Sequence, residues 1–151
     1  FAARATQPSA RSVGRPDSVE VRLRAALLNA LLVGSGGFAG AVMRYALGAA
    51  VHRHLPLTTF PYGTLSVNLL GCFLIGALAG LADSRQLFAP EFRAFLFIGV
   101  LGGFTTFSTF GYETIAMARD GDHLRAAWNV GMHVVLGLTL VWWAYGLTSS
   151  R

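Results

Sequence analysis

Lysine is absent from this 151-residue chain, acidic residues number only seven, and there is one cysteine. Charged residues make up 13% of the chain, against about 25% in an average soluble domain. That deficit argues against a soluble globular protein. The single cysteine, Cys72, excludes an intrachain disulfide and lies in an apolar segment, where it reads as a small packing residue. There is no phosphate-binding glycine loop, no nucleophile with a base, and no pair of carboxylates in one segment, so an enzyme has little support. Arginine supplies all the formal positive charge, and the net charge is +5. In a soluble chain such basicity would suggest nucleic acid. Here the arginines, with one exception, occupy the N-terminal stretch and the loops. Membrane lipid is therefore the expected partner, with no nucleic acid.

What the chain has instead is apolar length. Hydrophobic residues make up 54% and the mean hydropathy is +0.53. A helix crosses a hydrocarbon core of about 30 Å with about 20 residues. Four segments meet that requirement: Ala25 to about Val51, Pro61 to Ala82, Phe92 to about Met117, and Ala126 to about Leu147. Short connections between them force antiparallel neighbours. The expected fold is an all-α membrane protein of four transmembrane helices over residues 25–151, multi-pass in the cell (inner) membrane. Residues 1–24 hold Arg4, Arg11, Arg15, Arg22 and Arg24 among Ser, Pro and Gly, and read as a disordered tail kept in the cytoplasm. Outside the distal tail, Arg22, Arg24, Arg85, Arg93 and Arg151 fall on one side and Arg53, Arg119 and Arg125 on the other. So small a bias fits insertion in both orientations as well as insertion with the N-terminus inside.

Glycines recur at small-xxx-small spacing: Gly36 and Gly40, Gly76 and Gly80, Gly99 and Gly103. This spacing lets helix backbones approach closely in lipid. The third segment contains the stretch that lipid does not explain, Gly102-Gly103-Phe104-Thr105-Thr106-Phe107-Ser108-Thr109-Phe110. Two adjacent glycines weaken a helix, and hydroxyls in hydrocarbon are costly unless paired. A helix interrupted at the glycines would free backbone groups, which in a membrane must be buried in protein or line a cavity or ion site. Freed carbonyls at that depth suit a cation such as Na⁺.

Phe107 and Phe110, three apart, share a helix face. A phenyl ring has a negative face and a positive edge, so ring edges can touch an anion. Asn68, near the middle of the second segment, offers an amide N–H or an interhelical bond. Arg44 either snorkels to the interface or draws anions into a vestibule. Glu113 is either a proton-relay carboxylate or a partner for polar groups near the end of its helix. His133 reads as a hydrogen-bonding residue facing the bundle, since no second ligand lies at metal spacing on its helix.

Taken in order, Gly37-Phe38-Ala39-Gly40 leading to Met43-Arg44-Tyr45, then Gly63-Thr64-Leu65-Ser66-Val67-Asn68-Leu69-Leu70-Gly71, then Gly102 to Phe110 followed by Glu113-Thr114 resemble the CrcB-type fluoride channels, called Fluc. The similarity runs from about Val33 to Leu147. It implies a fluoride-selective channel that exports cytoplasmic fluoride passively and lowers its toxicity. It also implies an antiparallel, dual-topology homodimer with the third helix broken at its centre. Carbonyls matching Gly102 and Thr105 would bind a structural Na⁺ shared by the two subunits. Phe107 and Phe110 match the phenylalanines that line the fluoride path, Asn68 the pore asparagine, and Arg44 the vestibule arginine. Ser108 and Thr109 match hydroxyls along the third helix. Where some relatives carry a pore tyrosine and, one turn on, a serine, this chain has Asn129 and His133. The long arginine-rich tail lies outside the resemblance and would have to cross the membrane in half the subunits of such a dimer.

Two other readings compete. Small multidrug exporters are also four-helix dual-topology dimers, but proton coupling there needs a membrane carboxylate on the first helix, where this chain offers Arg44. A non-transporting helical subunit of a larger complex would tolerate substitution at Asn68 and pass no ion alone.

Overall fold

The computed structural model describes residues 16–55, 59–85 and 88–149, and all regular structure among them is helical. Four helical stretches are long and apolar enough to cross a membrane: Val19–His54, Tyr62–Ser84, Pro90–Arg119 and His123–Ser149. They match the four expected segments to within a few residues at most ends. The first helix reaches back to Pro16; residues 1–15 of the expected tail lie outside the described residues.

Local chemistry sets the ends. The first helix carries His52, Arg53 and His54 in its last turn, where positive charge meets the negative end of the helix dipole. The third opens with Pro90 and Glu91 in its first turn. Proline lacks only an N–H that would have no partner there, and the acid faces the positive end. Between the third and fourth helices the chain turns in three residues. Gly121 takes a positive φ of 83°, open to glycine without strain. Asp122 then caps the fourth helix by accepting from the Arg125 N–H at 3.2 Å.

Glycine sets how the helices pair. A Cβ on Gly40 would lie 2.1 Å from the Val100 carbonyl oxygen and 2.7 Å from the Phe104 nitrogen. One on Gly36 would lie 2.5 Å from the Phe95 carbonyl oxygen, and one on Gly103 2.5 Å from that of Gly37. The first helix therefore touches the N-terminal part of the third backbone to backbone. The second pairs with the last part of the fourth in the same way: a Cβ on Gly76 would sit 2.4 Å from the Val141 carbonyl oxygen, and one on Gly80 2.6 Å from that of Tyr145. The small-xxx-small spacings thus mark real helix–helix seams.

The third span is not uniform. Ala94–Leu101 forms wide π-helical turns, and Gly102–Phe104 is α-helical. Thr105 (φ −82°, ψ 159°) and Thr106 (φ −148°, ψ 108°) are extended, and Phe107–Arg119 is helical again. The sequence placed the weak point at Gly102-Gly103. The structure keeps both glycines helical and lets two β-branched residues, which favour extended backbone, leave the helix. Gly103 is required as glycine by its contact with Gly37 rather than for flexibility. Thr106 caps the helix that follows: its hydroxyl accepts from the Thr109 N–H at 3.3 Å and lies 2.8 Å from the Thr109 hydroxyl. Replacing an N-cap threonine costs about 1 kcal/mol. Thr106→Val should lower the melting temperature in detergent by that measure, with Thr106→Ser close to wild type; equal melting of Thr106→Val and wild type would remove the cap from the account.

Candidate functional site

Two grooves meet at Thr106, which lines both. The larger, about 400 Å³, runs between the second, third and fourth spans and is bounded by Asn68, Phe107, Phe110 and His133. The smaller, about 250 Å³, is bounded by Arg44, Thr64, Thr109 and Glu113. Gly102 and Thr105 line the larger groove beside the phenylalanines.

Asn68 is the hinge of the arrangement. Its Nδ2 donates to the Thr106 carbonyl at 3.1 Å, and its Oδ1 accepts from the Thr106 N–H at 2.9 Å. The side-chain amide therefore pairs with one extended residue as a neighbouring β-strand would. It satisfies both main-chain groups that leave the helix, which is what a membrane interior demands. Nδ2 carries two hydrogens, so one remains for the groove. The sequence offered interhelical bonding and anion donation as alternatives for Asn68; the amide has hydrogens enough for both.

The same pairing releases a carbonyl. In a continuous helix the Thr106 N–H would go to Gly102; here it goes to Asn68. Thr109 N–H would go to Thr105, and here it goes to the Thr106 hydroxyl. The Thr105 carbonyl accepts instead from Arg44 Nη1 at 3.4 Å. Arg44 is thus half-buried against the third span.

Phe107 and Phe110 are neighbours, their ring centroids 5.4 Å apart at 56°. Their environments differ. Phe110 is 8% exposed, and Phe107 is 83% exposed in the single chain. Phe110 also packs on the His133 ring, centroid to centroid 4.3 Å. Ser108 and Thr109 are exposed, and Ser108 Oγ lies 3.4 Å from the Thr106 hydroxyl. Thr109 lines the smaller groove rather than the larger.

Asn129 and His133 divide. Asn129 is fully buried (0% exposed) and its amide donates to the Thr114 hydroxyl at 2.8 Å; Thr114 in turn donates to the Phe110 carbonyl at 2.7 Å. Asn129 is thus a strut between the third and fourth spans and does not line either groove. His133 does line the larger one. Glu113 accepts from the Thr64 hydroxyl at 2.7 Å, which joins the second and third spans, and its second oxygen is buried without a partner among the described residues.

Sequence reasoning missed three hydroxyls that organise this site. Thr106 was legible as an N-cap, a threonine directly before a renewed helical run. Thr64 stands four residues before Asn68, on the same helix face. Thr114 stands four residues after Phe110. Among the described residues, no three His, Cys, Asp or Glu side chains come together as a metal cluster.

Residues 31–145 match the family model described as CrcB-like protein, Camphor Resistance (CrcB). A protein of Methylobacillus flagellatus named Fluoride-specific ion channel FluC is 42% identical over 117 residues, 78% of this chain and 91% of that one. Proteins of the same name from Chlorobaculum tepidum and Chlorobium chlorochromatii are 51% identical over 110 residues and 52% identical over 122 residues. The alignments cover 73% of this chain and 86% of the first, and 80% of this chain and 91% of the second. The region matched contains Arg44, Asn68, the Gly102–Phe110 run and His133, and on that match the chain belongs to the CrcB-like family.

Proposed function

We propose that this multi-pass membrane protein is a fluoride-selective channel that lets cytoplasmic fluoride leave passively, driven by the membrane potential. The observation that carries this is the larger groove, where two phenyl rings stand beside an asparagine amide that still has an N–H to give. A small anion entering a low-dielectric groove must replace its hydration. Ring edges and N–H or O–H donors offer positive ends without a fixed full charge that would hold the ion. The helix from Phe107 adds its N-terminal end, where main-chain N–H groups have no intrahelical acceptor and the dipole is positive. Arg44, at the smaller groove, supplies an electropositive approach. The names of the relatives supply the choice of fluoride.

The same reading gives the finer architecture. Thr105 and Thr106 form the central break of the third helix. Two copies of the chain assemble as an antiparallel homodimer, and the second copy covers exposed Phe107 and completes the path. A structural Na⁺ fits the donors present in kind: the carbonyls of Gly102 and Thr105 have lost their helical partners and are hard neutral oxygens. Two carbonyls from one chain are too few for a cation, so the site needs the second copy. The Thr105 carbonyl also accepts from Arg44, so a cation there would share that oxygen with the guanidinium. Bound there, Na⁺ would offset the negative ends of the carbonyl dipoles. Ser108 and Thr109 extend the polar route, and His133 lines it. The exporter reading lacks a carboxylate in the apolar part of the first helix, and no observation favours it.

The test is efflux from liposomes that hold only this protein, loaded with fluoride and followed with a fluoride electrode after a potassium ionophore relieves the charge. Fluoride should leave rapidly, and chloride at a small fraction of that rate. Equal chloride and fluoride rates would sink the selectivity, and no fluoride release would sink the channel.

A further inference from the structure

The structure assigns to His133 a part in anion recognition that depends on its proton: the neutral imidazole leaves a bare, unpartnered nitrogen beside the groove, and the protonated one makes it an N–H donor. This rests on the proposed fluoride path and adds a condition to it. His133 Nδ1 lies 2.9 Å from the Asn129 carbonyl oxygen. A carbonyl only accepts, so Nδ1 carries the hydrogen. In the neutral ring Nε2 therefore holds a lone pair. That atom is buried and has no hydrogen-bond partner among the described residues, and the residue lines the groove with Phe107, Phe110 and Asn68.

A lone pair facing an anion repels it. Protonation adds a hydrogen at Nε2 and leaves the Nδ1 bond intact, since both nitrogens of the cation are donors. The ring has no freedom to turn this feature away. It is anchored by Asn129, packed on Phe110, and carried on a wide π-helical turn, Met132–Leu136. Wide turns of this kind often occur at functional sites. The phenyl neighbour also tolerates the charge, because an aromatic face attracts a cation.

Other titratable groups around it are few. On the second span, Cys72 shares the groove. On the third, Glu113 is engaged by Thr64 and lines the smaller groove, as does Arg44 of the first span. On its own span, Asn129 and Val134 carry no charge. A second imidazole, His52, lines the smaller groove with Arg44, so it is the His133→Gln variant that assigns a pH response to His133.

Two measurements test this. Fluoride efflux is followed at symmetrical pH from about 7.5 down to about 5.5, with leak from protein-free vesicles subtracted. Wild-type efflux should rise as the pH falls, and His133→Gln, which cannot ionise, should stay flat. Separately, the His133 ring nitrogens are titrated by NMR in detergent with and without sodium fluoride. If fluoride prefers the protonated ring, it must raise the titration midpoint, because the linkage is reciprocal. Efflux that is present but equally pH-independent in both proteins, with no fluoride-dependent midpoint, overturns this inference and leaves the channel standing. A fluoride-dependent midpoint with no efflux supports the anion site and removes the channel.

Discussion

Asn68→Leu should cut fluoride efflux by at least about tenfold while the protein still inserts and runs as wild type on gel filtration. Leucine keeps the branching and heavy-atom count of asparagine but offers neither hydrogen bond. The Thr106 N–H and carbonyl, paired at 2.9 Å and 3.1 Å in the native chain, would lose their partners together. Each unsatisfied buried group costs about 1–3 kcal/mol, and about 1.4 kcal/mol is already tenfold in a population. The extended residue then either reforms a helical bond to Gly102 or draws water into the groove. Either change moves Phe107, its immediate neighbour. Asn68→Asp separates the two roles of the amide. An ionised aspartate still accepts from the Thr106 N–H, but it sets negative charge against the Thr106 carbonyl and into the anion route. It should transport no better than the leucine variant. Efflux from Asn68→Leu within twofold of wild type would show that the pairing is dispensable.

The largest effect on stability is expected at Gly40. A single added methyl would meet the Val100 carbonyl oxygen at 2.1 Å, the Phe104 nitrogen at 2.7 Å and the Gly103 carbonyl carbon at 3.0 Å. All three are backbone atoms and none can rotate aside. Overpacking a tight interior typically costs about 1–3 kcal/mol and sometimes more, and this contact lies at the upper end. Gly40→Ala should melt well below wild type in detergent, and Gly40→Leu should yield no folded protein. Gly34, on the same helix, has open space where its Cβ would be. Gly34→Ala should be neutral or slightly stabilising, since alanine is the better helix former by about 1 kcal/mol. Similar melting of Gly40→Ala and Gly34→Ala would mean the first and third helices are not in backbone contact.

The four spans were legible because hydropathy over a bilayer's thickness is a long-range, redundant signal. Their partners were half legible. Gly36, Gly40, Gly99 and Gly103 announced tight faces, but spacing alone does not say which glycine faces which. The exit from helical geometry was located a few residues early. Composition points to Gly102 and Gly103 as weak, whereas the geometry turns on what Thr106 can bond to. Its pairing with Asn68 joins residues 38 positions apart, and no local rule reads that. Phe107 and Phe110 share a face as their spacing required. Their burial is unequal, and the His133 ring packs on Phe110. Asn129 donates its amide N–H to Thr114 in the single chain, a pairing that alignment with a pore position does not read.

The interleaved glycine seams also bear on the order of assembly. The first helix finds its close partner in the third, and the second in the fourth. As the chain emerges from the ribosome, the second helix enters the bilayer before its close partner exists. Until residues 137–149 are made, Gly76 and Gly80 face lipid with bare backbone. Tight packing along that seam is therefore completed only after the last helix has been inserted, whereas the seam between the first and third helices can close one helix earlier.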